Sequence, residues 1–189
     1  MKVCVFCSSS DYIEQQYFDE ARAFGNLIAN NNYDLIYGGT TVGLMGEIAR
    51  SVKEGNGQIT GVIPDLIHKR GIAFEGVDNL IVTRDLRERK ATMETLSDAF
   101  VALPGGFGTI EELLEIITLK QLQVHQKPIV LINTNGFFNS LNAFFDQVYY
   151  ERFASERFRG MYYFAKDSWD AITYLKNYRP GFAGDKWSE

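Results

Sequence analysis

Two glycine-rich loops, one misplaced arginine and a run of glutamates are the parts of this chain that can do chemistry. From Pro104 it reads Pro104, Gly105, Gly106, Phe107, Gly108, Thr109, Ile110, Glu111, Glu112, between an apolar run over 99–103 and an amphipathic run reaching residue 122. Glycine has no Cβ to hold an anion off the backbone, and a helix start presents unbonded N–H groups with partial positive charge. One glycine suffices for a tight strand-to-helix turn; three within four positions, at a strand's carboxyl end, point to a phosphate cradle. A second loop follows Tyr37 and reads Gly38, Gly39, Thr40, Thr41, Val42, Gly43, Leu44, Met45, Gly46. Its spacing is not G-x-G-x-x-G and no P-loop Lys-Ser/Thr follows, so neither NAD nor ATP is signalled. Structural turn and ligand loop are both open readings for it, since Gly43 and Gly46 also let a helix pack close to a sheet.

The arginine stands in the run starting at Asp85. Leu86, Arg89, Met93 and Leu96 form one helical stripe, which puts Arg89 where a core residue is expected, with Lys90 beside it. Cations aimed inward are costly unless an anion compensates them. The anion is either a bound phosphate or substrate, or one of the chain's own glutamates; a third option is an arginine snorkelling to solvent. Glu112 is equally two-sided. Thr109 and Glu112 have the spacing of a capping box, which would satisfy only the helix's own amides. Glu111, Glu112 and Glu115 also place carboxylates beside the cradle, where one can hold sugar hydroxyls or polarise a water.

The elements that position these groups alternate. Apolar strand-like runs at 3–7, 34–37, 58–63, 79–82, 99–103, 127–132 and 162–164 are separated by helical patterns around 17–28, 44–52, 85–96, 109–122, 137–150 and 168–176. Ser8, Ser9, Ser10 and Asp11 are good caps for the first helix. Strands apolar on both faces, alternating with amphipathic helices, predict an α/β domain with a Rossmann-like, doubly wound parallel sheet. Ligands bind such sheets outside the carboxyl ends of the strands, which directs attention to the loops after Cys7, Tyr37, Ile63 and Leu103. A single domain over 1–177 is expected, followed by an extended or frayed tail over 178–189.

Composition narrows the partners. The 189 residues are 46% apolar and 23% charged, with a net charge of −5, which disfavours disorder and repels a nucleic-acid backbone. No apolar run approaches the roughly 20 residues of a membrane span, and the start lacks a signal-peptide core, so the expected address is the cytoplasm, away from any membrane. Cys4 and Cys7 read as C-x-x-C but lie in a strand, where i and i+3 side chains face opposite ways; two core thiols are expected rather than a redox pair. His68 and His125 have no partners at ligand spacing, so no metal is expected.

The loop Gly38-Gly39-x-x-x-Gly43-Leu44-Met45-Gly46, the pair Arg89-Lys90, the run from Pro104 to Glu112, and Gln121-Leu122 ahead of His125-x-Lys127-Pro128 together resemble the LONELY GUY (LOG) family. The opening Phe6-Cys7-x-Ser9-Ser10 fits as well, and the likeness spans residues 1–150. That family comprises cytokinin riboside 5′-monophosphate phosphoribohydrolases, many formerly labelled lysine decarboxylases, acting as homodimers or larger oligomers without a cofactor. The resemblance implies hydrolysis of a nucleoside 5′-monophosphate to free base and ribose 5-phosphate. It implies that Arg89 and Glu112 are catalytic, and that Lys90, Gly106, Phe107, Gly108, Thr109, Ile110, Glu111 and Thr118 contact substrate. Ser9, Gly38, Gly39 and Met93 are further candidates around the same loops. Thr40 and Gln123 stand where the family usually has glycine.

Two other functions compete. LOG-like folds also occur in molybdenum-cofactor carriers, which need a cradle but not Arg89 and Glu112 together. A lysine decarboxylase needs a Schiff-base lysine with a pyridinium partner, and no such constellation is readable. The aromatic density between Phe137 and Phe164 exceeds one small core's need and predicts self-association.

Overall fold

The computed structural model describes residues 1–181. Seven strands form one parallel sheet: β1 (Lys2–Phe6), β2 (Asp34–Tyr37), β3 (Ile59–Pro64), β4 (Asn79–Thr83), β5 (Ala99–Ala102), β6 (Ile129–Ile132) and β7 (Tyr163–Ala165). Their spatial order is β4-β3-β2-β1-β5-β6-β7, every neighbouring pair parallel. The long helices are α1 (Gln15–Asn30), α2 (Gly43–Glu54), α4 (Leu86–Leu96), α5 (Phe107–Gln121), α6 (Asn139–Tyr150) and α7 (Ser168–Asn177), with a single turn, α3 (Asp65–His68), after β3. The order runs outward from β1 in both directions, so the doubly wound Rossmann-like expectation holds.

Alternation along the strands sorts the core into two layers. Val3, Val5 and Cys7 join Leu35, Tyr37 and Val101 beneath α1, α2 and α7, which contribute Phe24, Ile28, Leu44, Ile48 and Ile172. Cys4 and Phe6 join Ile36, Val62 and Phe100 on the other side, beneath Met93 of α4 and Leu113 and Ile116 of α5. Cys4 and Cys7 therefore point into opposite layers, both free and buried, and burial pushes both thiols well above their ordinary range. Phe24 is wholly buried between sheet and helices, and truncating it to alanine would cost about 3–5 kcal/mol.

Three local expectations change. β4 is an edge strand with Leu80 and Val82 exposed, so its apolar run is covered on one side only. Ser8, Ser10 and Asp11 do not cap α1, whose N-cap is Glu14 with no side-chain bond. Ser8 and Ser10 close short turns by accepting from Ser10 N and Tyr12 N, and Asp11 accepts from the amide of Gly43 across the sheet top. Tyr178 is tied down rather than frayed, accepting from Lys120 and donating to the Gln126 carbonyl. Residues 182–189 of the expected tail lie outside the described residues.

Candidate functional site

Strand order reverses between β1 and β5, and the loops leaving those two strands line a crevice. Ser8 donates its amide to the Pro104 carbonyl, holding the two loops edge to edge. A cavity of about 320 Å³ opens between them, walled by Pro104, Gly105, Gly106, Ile13, Tyr17 and Phe137.

The glycine run lies at the strand-to-helix turn, with a division of labour among its residues. α5 starts at Phe107, with Gly106 as N-cap and no side-chain cap bond. The first amide to find a partner is that of Ile110, which donates to Gly106 O; the amides of Phe107, Gly108 and Thr109 have none among the described residues. Those are the orphan donors of a helix start. A Cβ on Gly105 would collide with Thr109, so this glycine is required by packing, whereas Gly106 and Gly108 face open space. Open space above unbonded amides is what an anion needs. Phe107 projects into solvent at 98% exposure, Ile110 is half-buried and Thr109 is buried.

Arg89 does turn inward. Asp85 caps α4 by accepting from Arg87 N and Glu88 N at 2.9 Å each, which sets the helix phase and brings Arg89 under the sheet's carboxyl edge. Its Nε donates to Val62 O at 3.1 Å, and its Nη1 donates to Glu112 Oε1 at 2.7 Å. Both partners of this ion pair are buried, Arg89 at 8% and Glu112 at 6% exposure. Glu112 is therefore the glutamate that Arg89 meets, and the capping box is not formed, because the helix begins two residues before Thr109. Burial raises the Glu112 carboxyl above its ordinary range, and Arg89 opposes that without cancelling it. Arg89 Nη2 has no hydrogen-bond partner among the described residues and remains available.

Lys90 lies at the surface end of the same cluster rather than in the interior. It pairs with Glu111 and, at 2.7 Å, with Glu115. Against the penalty of partial burial, those carboxylates hold its ammonium above the usual lysine range. Glu112 lies three residues past Thr109, about 4.5 Å along the helix axis, within a sugar's length of an anion on the amides.

The remaining candidates divide. Gly38 forms the floor beneath the Arg89 guanidinium, and Gly39, at φ +76°, lies against Ile63. Ser9 is exposed on the β1 loop, at the rim. Met93 is a core residue at 1% exposure, one turn along α4 from Arg89. Thr118 is not brought to the cradle within one copy: it lies nine residues beyond Thr109, about 13.5 Å along α5, its hydroxyl donating to Leu114 O. Sequence reasoning missed the Val62 carbonyl, which no side-chain signal reveals, and the Ile13, Tyr17 and Phe137 walls, whose apolar spacing reads as core. It also missed Lys120, buried at 1% and donating to Met161 O and Tyr178; burial lowers it to about 8. Among the described residues no cluster of His, Cys, Asp and Glu is arranged to hold a metal.

Comparison with known proteins follows the same lines. The family model described as "Possible lysine decarboxylase" matches residues 45–175. The chain is 41% identical over 179 residues to cytokinin riboside 5′-monophosphate phosphoribohydrolase LOG3 of Arabidopsis thaliana, covering 95% of this chain and 83% of that one. It is 42% identical to LOG1 of the same plant, covering 95% and 84%. A solved molybdenum cofactor binding protein from Rippkaea orientalis shares the fold at a TM-score of 0.73 and 22% identity, covering 93% and 94%. With two fifths of its residues shared along nearly its whole length, and the paired arginine and glutamate converging beside an uncapped helix start, the chain belongs to the LONELY GUY family of phosphoribohydrolases.

Proposed function

We propose that this protein hydrolyses the N-glycosidic bond of purine nucleoside 5′-monophosphates, of cytokinin type or AMP, releasing the base and ribose 5-phosphate. The observation that carries the reading is the buried Arg89–Glu112 pair beside the unbonded amides of α5. In this reading the phosphate sits on the backbone from Gly106 to Glu111, with Lys90, paired to Glu111 and Glu115, at the edge. The anomeric carbon then faces Glu112. As the C1′–N bond breaks, its electron pair leaves with the base and the sugar gains oxocarbenium character, which a carboxylate stabilises. Water adds to C1′ and its proton passes through Glu112 to the base nitrogen. Arg89 orients Glu112 through Nη1 and has Nη2 free for the charge that develops on the departing base.

A carrier of the same fold needs the cradle but not Arg89 and Glu112 together, so their meeting in one buried pair favours the enzyme. The decarboxylase description does not fit the residues either. Lys90 is held protonated between two carboxylates and Lys120 is sealed in the core, so neither offers a free amine for a Schiff base beside the cradle. The reaction as written needs no cofactor.

Self-association belongs to the same proposal. Leu114, Ile117, Phe144, Val148, Phe153 and Tyr162 line an apolar groove of about 270 Å³ between α5 and α6, with Phe144 and Phe153 largely exposed. A second copy seated there covers that surface and meets Thr118 on the neighbouring turn of α5, making a homodimer the smallest complete form. Among the described residues no helix is long and apolar enough to cross a membrane, and a cytoplasmic address is part of the same proposal. The test is to incubate the protein with AMP and isopentenyladenosine monophosphate and to chromatograph for base. Free adenine or its prenylated form is expected; silence toward every purine monophosphate overturns the assignment.

A further inference from the structure

Resting on the activity proposed above, we infer that Gly38 is a positioning residue for that reaction: the absence of its side chain creates the slot that holds the Arg89 guanidinium against Glu112. The slot has four sides. The Val62 carbonyl on β3 accepts from Nε, and Glu112 on α5 accepts from Nη1. Gly38, just beyond β2, is the floor: a Cβ there would lie 2.6 Å from Arg89 Nη2 and 2.8 Å from Met45 Sδ. Met45 is the back wall, and its sulfur accepts a hydrogen bond from the Thr40 hydroxyl at 3.3 Å. Thr40, the residue that departs from the family's usual glycine, therefore braces the wall rather than merely occupying the loop.

Two comparisons show that the constraint concerns Arg89 and not the chain's path. Gly38 is not among the glycines with positive φ, so its backbone accepts alanine, whereas Gly39 at φ +76° does not. The atoms that a methyl at Gly38 would meet are the ends of two flexible side chains, which can swing away, while Gly39 is closed in by Ile63 and the backbone of β3. Alanine at Gly38 thus keeps the backbone path and evicts the guanidinium, at the cost of parting a buried ion pair. Once Arg89 leaves, the titratable groups around Glu112 are Lys90 and Glu94 on α4, the buried thiol of Cys4 on β1 and, in the opposite layer just beyond that strand, that of Cys7, with Glu111 and Glu115 of its own helix. With its nearest cation gone, Glu112 ionises only at higher pH.

The experiment compares wild type with Gly38→Ala, using AMP as substrate. The expected kcat falls at least about tenfold with KM within about threefold, since the lost contact acts on the transition state. The acid limb of the kcat/KM profile moves toward higher pH, a shift that general loosening does not produce, and the melting temperature falls by no more than the roughly 6–12 °C that parting the buried pair costs. A crystal structure of Gly38→Ala is expected to show the Arg89–Glu112 contact broken. A folded variant with unchanged kcat and acid limb, or with the contact intact, overturns the proposal. Should Gly38→Ala fail to fold, Met45→Leu keeps the wall's volume but removes the sulfur that Thr40 holds; a smaller change in the same direction supports the slot, and no change overturns it. If wild type is inactive on every purine monophosphate the functional reading fails, while the crystal structure still decides whether Gly38 seats Arg89.

Discussion

Replacing Glu112 by glutamine separates a catalytic carboxylate from a structural one. Glutamine keeps the shape of the side chain and an oxygen for Arg89 Nη1, so the 2.7 Å contact survives and only the charge is lost. The stability consequence follows from the direction of the carboxyl's shift. Burial raises Glu112 above its unfolded value, so between the two values the folded state binds more protons, and wild-type stability falls as pH rises through that window. The neutral glutamine escapes that fall but leaves the buried Arg89 without an opposite charge, so it should melt below the wild-type temperature at pH 7, by less than a variant that also loses the hydrogen bond. Turnover should drop about 10²–10³-fold, the loss that follows removal of one preorganised group facing developing charge, about 2.7–4 kcal/mol. Glu112→Ala removes the hydrogen bond as well as the charge from the 8%-exposed Arg89, so a larger loss, about 3 kcal/mol or roughly 6–12 °C at this chain length, is expected. Thermal denaturation and chromatographic base release, run on both variants, check this. Glu112→Gln turning over at the wild-type rate, or melting as low as Glu112→Ala, would refute the reasoning.

Three further outcomes are expected. Gln123 is held at φ +61°, so Gln123→Gly should relieve about 0.5–1 kcal/mol net and raise the melting temperature by roughly 1–4 °C in calorimetry; a lower value counts against the strain. His125 uses both ring nitrogens, bonding to Ile116 O through Nε2 and accepting from Lys127 N at Nδ1, and burial lowers it to about 4. Its contribution is full above about pH 6.5 and lost as pH falls through 4, about 2 kcal/mol after allowance for screening; urea midpoints of His125→Gln should show a shallower acid decline, and parallel curves would contradict it. Phe144→Glu places a charge in the groove between α5 and α6, and light scattering should report a monomer; an unchanged mass rules the groove out as the interface.

The fold was legible because its strands are apolar on both faces and its helices are not, a contrast that needs no tertiary information. The strand expected over 99–103 appears as Ala99–Ala102, and the helix over 168–176 as Ser168–Asn177. Arg89 was legible for the same reason, as a charge interrupting a period of apolar residues. The role of Glu112 was not, because Thr-x-x-Glu has the same spacing whether or not a helix begins at the threonine; the start at Phe107 depends on glycines that leave the backbone free to turn early. The slot around Arg89 was equally invisible. Val62 contributes a carbonyl and Gly38 contributes a vacancy, and neither has a side-chain signature. Lys120 was unreadable because its partners, Met161 and Tyr178, lie 41 and 58 residues away.

The opening turn of α5 is a piece of backbone that this chain does not complete by itself. On the proposed function a visiting oxyanion completes it, so occupancy of the cradle and order in the helix would form one equilibrium. On that reading a phosphorylated sugar governs endurance as well as speed: a molecule kept busy would resist proteases longer than an idle one.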